Sequence, residues 1–277
     1  MKIGIVGTGS LIKELMPILY DMKEIEIIAL CGTKRSENIV AELSNKYEIS
    51  YGLTDYDEFL SIDVDAVYIA IPNHLHYEYA MKALEKNKNV IIEKPITICY
   101  EESKKLKDFA MKKNLYIFEA ITTMYQPNYL KIKELIEKIG EIKIVECNFS
   151  QYSRRYDDFV SGNLPPVFDS KKGGGALMDI NLYNIYYVVG LFGEPVMSMY
   201  YPNIERNIDT SGIFIMDYDN FKAICIGAKD CGAPSRITIQ GKKGCIIQDS
   251  SPNECGKFTV KFNNHSEEKY DLNGENH

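Results

Sequence analysis

What most constrains this chain is the rhythm of its first 120 residues, where short apolar runs alternate with amphipathic stretches. Residues 3–6, 25–30, 66–70, 89–92 and 115–118 are strand-like, and several are rich in Val and Ile. Between them, residues 11–20, 37–46, 76–86 and 101–113 carry a helical period. Runs that are apolar on both faces belong in a parallel sheet covered on both sides by crossover helices. Right-handed crossovers bring the carboxyl ends of such strands to one edge, where these sheets bind ligands. The expectation is therefore α/β: a Rossmann-type, doubly wound parallel sheet over residues 1–122.

Beyond Thr122 the pattern changes. A helix near 128–138 precedes a long strand candidate at 141–152, then an irregular polar segment that ends in Lys171-Lys172-Gly173-Gly174-Gly175. A helix over 176–191 follows, and strands and turns take over from Pro195. Residues 211–217 and 221–227 flank Tyr218-Asp219-Asn220, while 236–240 and 245–249 flank Gly241-Lys242-Lys243-Gly244, so both pairs read as antiparallel hairpins. Residues 123–277 are thus expected to form an α+β domain on an open antiparallel sheet. Ile213-Phe214-Ile215-Met216 and Ala223-Ile224-Cys225-Ile226 are apolar on both strand faces. One face can pack on helices, and the other is expected to meet a second copy, giving a homodimer.

Composition narrows the partners. A net charge of −7 argues against nucleic acid and anionic membrane. The longest apolar stretch, 180–192, is interrupted by Asn181, Asn184 and Gly190, so no membrane span is expected. Met1-Lys2 runs directly into a strand, so no leader is expected. The seven cysteines are scattered and none stands in a Cys-x-x-Cys pair, as expected of reduced thiols in the cytoplasm.

Gly7-Thr8-Gly9-Ser10-Leu11-Ile12 lies between the first strand and the first helix, the context a dinucleotide fingerprint requires. Gly7 permits the tight turn, Gly9 lets the backbone approach a pyrophosphate, and the helix amides offer that anion donors and partial positive charge. Ile12 stands where a third small residue is usual, which predicts looser packing of helix on strand. After the second strand, an acid would normally hold the adenosine ribose. Here the chain reads Cys31-Gly32-Thr33-Lys34-Arg35. Thr33, Lys34 and Arg35 can accept a 2′-phosphate that a carboxylate would repel, so NADP is preferred and NAD remains open. The alternative is that Lys34 and Arg35 only begin a solvated helix.

Two later segments are more specific. Ala70-Ile71-Pro72-Asn73-His74-Leu75-His76 follows the fourth strand, and Val90-Ile91-Ile92-Glu93-Lys94-Pro95 closes the fifth. With Gly173-Gly174-Gly175-Ala176-Leu177-Met178-Asp179, the sequence resembles the glucose–fructose oxidoreductase / inositol dehydrogenase (Gfo/Idh/MocA) family. Phe118-Glu119-Ala120 and Gln126-Pro127-Asn128-Tyr129 look like its dihydrodiol and xylose dehydrogenase branch. The resemblance covers nearly the whole chain. It implies an NAD(P)-dependent oxidoreductase that moves a hydride between nicotinamide and a secondary alcohol or carbonyl of a sugar-like or dihydrodiol substrate. It further implies that Gly7, Thr8, Gly9, Ser10, Leu11, Thr33, Lys34, Arg35, Ile71, Pro72, Asn73, His76, Glu93 and Lys94 serve the cofactor. Lys94, Asp179 and Tyr183 are the implied catalytic residues, and the Lys94–Pro95 peptide is expected to be cis. Asn181 replaces a usual glycine, an exchange expected to alter the substrate pocket. Relatives usually continue into a closing helical segment, so residues 265–277 are expected to fray and activity to be reduced.

Elementary chemistry points the same way. A lysine at the carboxyl end of a central strand, between Ile92 and Pro95, is partly desolvated, which suits proton transfer. Asp179 and Tyr183 stand four apart on one helix and share a face, with Asp179 in the first turn where the dipole favours a carboxylate. By periodicity alone, Tyr183 beside Tyr186 and Tyr187 reads as core. His74 and His76 lack a third ligand at a suitable spacing, so no metal is expected, and Asn73 reads as a helix N-cap. A non-catalytic NAD(P)-binding sensor and a methyltransferase are the rival readings, separated by turnover on a carbonyl panel and by a choice of nucleotide.

Overall fold

The apolar runs of the N-terminal region become one parallel sheet in a computed structural model of the protein, which describes residues 1–274. The chain divides into two compact units between Ile121 and Thr122. The first unit runs β1 (Lys2–Val6), α1 (Ser10–Asp21), β2 (Glu26–Cys31), α2 (Glu37–Lys46), β3 (Tyr51–Leu53), α3 (Tyr56–Ser61), β4 (Ala66–Ile69), α4 (His76–Glu85), β5 (Asn89–Glu93), α5 (Tyr100–Lys113) and β6 (Ile117–Ala120). Its strands lie in the order β3-β2-β1-β4-β5-β6, and every pair is parallel. The order reverses between β1 and β4, which opens a crevice at their carboxyl ends. Central strands are buried on both faces: Ile5, Leu30, Val67, Ile69, Val90 and Ile92 have no exposed surface. Ile12 is likewise fully buried, packed with Ile3, Ile5, Met16 and Leu30. This corrects the expectation of loose packing, because the larger side chain fills the space that a smaller one would leave.

The second unit comprises α6 (Pro127–Leu135), β7 (Ile142–Ser150), α7 (Tyr156–Val160), α8 (Leu182–Phe192), β8 (Met197–Glu205), β9 (Ile208–Asp217), β10 (Lys222–Ala228), β11 (Arg236–Gly241), β12 (Gly244–Gln248), β13 (Phe258–Phe262) and β14 (Glu267–Tyr270). The sheet order is β14-β13-β12-β11-β7-β10-β9-β8. Both expected hairpins form, β9 with β10 and β11 with β12. The sheet is mixed, however, since β7 and β10 are parallel with Cys147 opposite Cys225. The chain leaves β7 through α7 and α8 to the edge strand β8 and comes back by two antiparallel turns, β8 to β9 and β9 to β10, so β10 arrives parallel to β7. One sheet face carries Val145, Cys147, Cys225, Ile237, Ile239 and Ile246 against Tyr129, Ile132, Tyr187 and Val188 of α6 and α8.

The expected fraying from residue 265 is not found among the described residues. β14 pairs with β13, the Leu272 amide donates to Asn128 Oδ1 (2.8 Å), and Asn273 Nδ2 donates to the Cys255 carbonyl (2.9 Å) and Gln126 Oε1 (3.0 Å). Residues 275–277 lie outside the described part. No helix among the described residues is long and apolar enough to cross a membrane.

Candidate active site

The cradle at the first glycines is built by backbone geometry. Gly7 has φ +128°, and a Cβ there would lie 2.1 Å from the Ala70 carbonyl oxygen, so both conformation and space demand glycine. Its amide donates to the Cys31 carbonyl (2.9 Å) and the Ala70 amide to that of Val6 (2.8 Å), so the ends of β1, β2 and β4 are tied together. Gly9 caps α1 with φ −70° and makes no side-chain cap, while a Cβ there would meet nothing within 4 Å. The helix therefore turns its first amides toward open space, the arrangement that takes a pyrophosphate. A cavity of ≈360 Å³ opens beside it, and Gly7, Thr8, Gly9, Thr33, Ile71 and Pro72 of the expected residues line it. Ser10 and Leu11 are exposed in the first turn of α1.

Sequence reasoning missed Gly32, Ser36 and Tyr79, which line the same cavity. Ser36 was within reach of the pattern, because Thr33 and Ser36 have the spacing of a reciprocal cap. The Thr33 amide donates to Ser36 Oγ (2.9 Å) and the Ser36 amide to the Thr33 carbonyl (2.8 Å). Lys34 and Arg35 stand exposed inside that turn, and no acidic side chain lines the cavity. The cradle therefore fits a dinucleotide, and its charge suits a phosphorylated ribose.

The second motif folds differently from expectation. Asn73 opens a 3₁₀ turn, Asn73–Leu75, and α4 starts only at His76, so Asn73 is not the N-cap of that helix. The X–Pro preference for extended backbone at Ile71 sets this geometry, leaving Pro72 at the cap position. His76 is fully buried, with Nδ1 2.8 Å from the Pro95 carbonyl and Nε2 2.8 Å from the Ile71 carbonyl. It thereby ties the β4 loop to the β5 loop. Burial holds its pKa below the usual value, against the pull of both carbonyls and Glu93.

Lys94 follows the last residue of β5, half-buried, and its peptide to Pro95 is cis. Glu93 uses both oxygens within the protein: Tyr68 donates to Oε1, and the Lys94 amide donates to Oε2 (3.2 Å). Glu119, at the end of the neighbouring β6, accepts from the Ile96 amide (2.9 Å). Burial pushes its carboxyl up to about 7; the Ile96 bond and the Lys94 charge oppose this, and Glu93 adds to it. Two carboxyls, one of them titrating near neutrality, therefore attend the lysine.

In the second unit the glycine run is a steric necessity. Gly173 and Gly175 have φ +70° and +109°, a Cβ on Gly174 would lie 2.7 Å from the Val167 carbonyl oxygen, and one on Gly175 would lie 2.0 Å from Asp209 Oδ1. The run leads into a π-helical turn, Leu177–Asn181, that carries Asp179 and continues into α8 with Tyr183. Tyr183 is half-buried with its ring 6.1 Å from that of Phe149, whereas Tyr187 is the core tyrosine, fully buried and donating to Gln248 Oε1 (3.1 Å). Asn181 turns inward toward β10. It is fully buried, its Nδ2 donates to the Cys225 carbonyl (3.1 Å), and it sits where Gly227 leaves room. The larger residue at 181 is thus absorbed by strand β10.

Lys229 was not anticipated: its ammonium, nearly buried, pairs with Asp179 Oδ2 from 50 positions away in sequence. No local pattern announces such a partner. Residues 1–120 match the model of the oxidoreductase family, NAD-binding Rossmann fold, and residues 133–275 match that family's C-terminal alpha/beta domain. The chain is 31% identical over 253 residues to scyllo-inositol 2-dehydrogenase (NADP(+)) of Bacillus subtilis, covering 90% of this chain and 76% of that one. It is 24% identical over 278 residues to trans-1,2-dihydrobenzene-1,2-diol dehydrogenase of Xenopus tropicalis, covering 98% and 81%. In fold it resembles a 3-ketoreductase from Actinomadura kijaniata solved with NADP, with a TM-score of 0.82 at 20% identity over 99% of this chain and 84% of that one. With both units matched by the family's models and the glycine turn, the Glu-Lys-Pro segment and the second glycine run in place, this chain belongs to the Gfo/Idh/MocA family of oxidoreductases.

Proposed function

We propose that this oxidoreductase uses NADP to interconvert a secondary alcohol and a carbonyl on a small polyhydroxy or dihydrodiol compound. The observation that carries the cofactor is the uncapped start of α1 facing a cavity free of acidic lining, beside a turn bearing Thr33, Lys34 and Arg35. The dinucleotide, when bound, supplies the hydride. Gly7, Thr8 and Gly9 hold its pyrophosphate, Thr33 and Ser36 receive the adenosine ribose, and Ile71 and Pro72 bound the cavity. The relatives' names, an inositol dehydrogenase and a dihydrodiol dehydrogenase, support the substrate class.

Within this reading, Lys94 exchanges the substrate hydroxyl proton. Asp179 and Tyr183 handle the substrate in the second unit. Glu93 and His76 act as positioning residues: the first anchors the Lys94 amide, the second the Ile71 and Pro95 carbonyls. We assign dinucleotide binding to the first unit, and substrate binding and self-association to the second. The reducing cytoplasm suits its seven free thiols.

Steady-state reduction of a carbonyl panel with NADPH, paired with cofactor titration by fluorescence, tests the proposal. Lys94→Ala is expected to lower kcat by about 10²–10⁴-fold, the usual share of a general acid–base group, while NADPH still binds. Tyr183→Phe removes one hydroxyl and should cost less. Full activity in Lys94→Ala would sink the proton-transfer assignment, and tighter binding of NADH than NADPH would sink the cofactor preference.

A further inference from the structure

We propose that Lys229 is a positioning residue for the reaction: its buried ammonium fixes the Asp179 carboxylate that the substrate meets. The inference rests on the oxidoreductase reading and adds to it a residue that works through Asp179. Lys229 directly follows β10, and its backbone is pinned on both sides. Its amide donates to the Thr210 carbonyl (2.8 Å), and its own carbonyl accepts from the Ser153 amide (2.9 Å). The side chain then runs inward, 8% exposed, past the Phe168 ring at 5.9 Å to Asp179 Oδ2. Lysines are seldom buried this far unless paired.

The pairing is asymmetric. Asp179 keeps 32% of its side-chain surface while its partner keeps almost none, so the cation is structural in placement and the carboxylate is the half that solvent reaches. A pair serving stability alone has no need to leave its anion open. Neighbouring carboxylates each take two neutral donors on one oxygen. Asp230 Oδ2 accepts from Thr210 Oγ1 and Ser211 Oγ (both 2.8 Å), and Asp209 Oδ2 from the Leu177 amide (2.6 Å) and the Tyr200 hydroxyl (2.7 Å). Among the described residues Asp179 is the one carboxylate in an ion pair with Lys229. The ammonium is therefore committed to Asp179 and is not offered to an anionic substrate. The π-helical turn holds the Asp179 backbone, whose amide donates to the Gly175 carbonyl (3.1 Å), and the strand-anchored lysine holds its carboxylate.

The test is a double-mutant cycle on the full-length enzyme with Lys229→Met, Asp179→Asn and both together, plus Lys229→Arg. Reduction of neutral polyhydroxy ketones by NADPH and NADPH titration are the readouts. Lys229→Met should lower kcat/KM by about 10- to 100-fold, the scale of a misplaced reacting group, with NADPH affinity within about twofold of wild type. Lys229→Arg should recover most of the loss, and the double variant should lose no more than the worse single one. Unchanged kcat/KM in a folded Lys229→Met protein would overturn the proposal, as would a double variant whose loss is the product of the singles. Asp179→Asn strands the buried Lys229 ammonium; should it fail to fold, Lys229→Met, Lys229→Arg and the double variant decide, since none of them leaves an unpaired buried charge. A wild type that binds NADPH yet reduces nothing on the panel overturns the substrate reading instead. The coupling of the two substitutions in denaturant unfolding then decides the pair, and zero coupling rejects it.

Discussion

Glu119 illustrates what a single residue adds to this site. Its carboxyl keeps a proton up to about pH 7 in the folded chain, whereas in the unfolded chain it returns to an ordinary value of 4.5. Between those limits the folded state holds the extra proton. The associated stability is complete below pH 4.5, declines as pH rises and is lost above about 7. Glu119→Gln keeps an oxygen for the Ile96 amide and removes the ionisation. Urea midpoints for wild type and variant should coincide near pH 4.5, and at pH 8 the variant should be more stable by about 1–2 kcal/mol, after allowance for partial solvent access. Equal midpoints at pH 8 would mean that the carboxyl is as well solvated folded as unfolded. Local backbone motifs were legible: the turn at Gly7 and the cis peptide between Lys94 and Pro95 were both read from their neighbours in sequence. Lys229 and the inward turn of Asn181 were not, because the first depends on a carboxylate 50 residues earlier and the second on a gap left by Gly227.

At the scale of elements, the glycine turn makes a prediction that separates folding from binding. Gly7→Ala places a methyl against the Ala70 carbonyl at a φ of +128°, a conformation that costs on the order of 1–3 kcal/mol even without the clash. Gly9→Ala meets nothing within 4 Å at a φ of −70°, so the fold should tolerate it. The methyl would nevertheless occupy the space through which the backbone approaches a pyrophosphate. Denaturation should therefore find Gly7→Ala destabilised and Gly9→Ala close to wild type. NADPH titration should find Gly9→Ala weakened by roughly tenfold, about 1.4 kcal/mol. Undiminished NADPH binding by Gly9→Ala would remove the pyrophosphate from this turn. Periodic elements such as α2 and α5 were readable because their helical spacing runs unbroken over 10 and 14 residues. β3 was not, for it is a three-residue edge strand containing Gly52, with too little buried surface to leave a pattern. The π-helical turn before α8 escaped for another reason: one inserted residue leaves the apolar spacing almost unchanged.

At the scale of the molecule, the alternation of apolar runs gave away the parallel sheet, and the turn chemistry gave away the hairpins. The parallel pairing of β7 with β10 was hidden, because strand direction depends on the path of the crossover rather than on either strand. The mixed sheet now sharpens the expected homodimer. Registration places Met199, Ile215 and Ile224 side by side, and next to them Tyr201, Ile213 and Ile226, all on the face turned away from α6 and α8. Met199, Tyr201 and Ile213 are 46%, 54% and 42% exposed, so the strip is apolar and open in the isolated chain. Association through the edge strand β8 is disfavoured by Pro202 at its centre, which lacks a donor for a further ladder. The proposed dimer would then use a two-fold contact of the faces, each apolar side chain contributing about 1.5–3 kcal/mol if fully covered. Light scattering at micromolar concentration should find a dimer for wild type and a folded monomer for Tyr201→Glu/Ile213→Glu, whose charges would be trapped in that contact. A monomeric wild type, or a double variant that remains dimeric, would place the contact elsewhere or remove it.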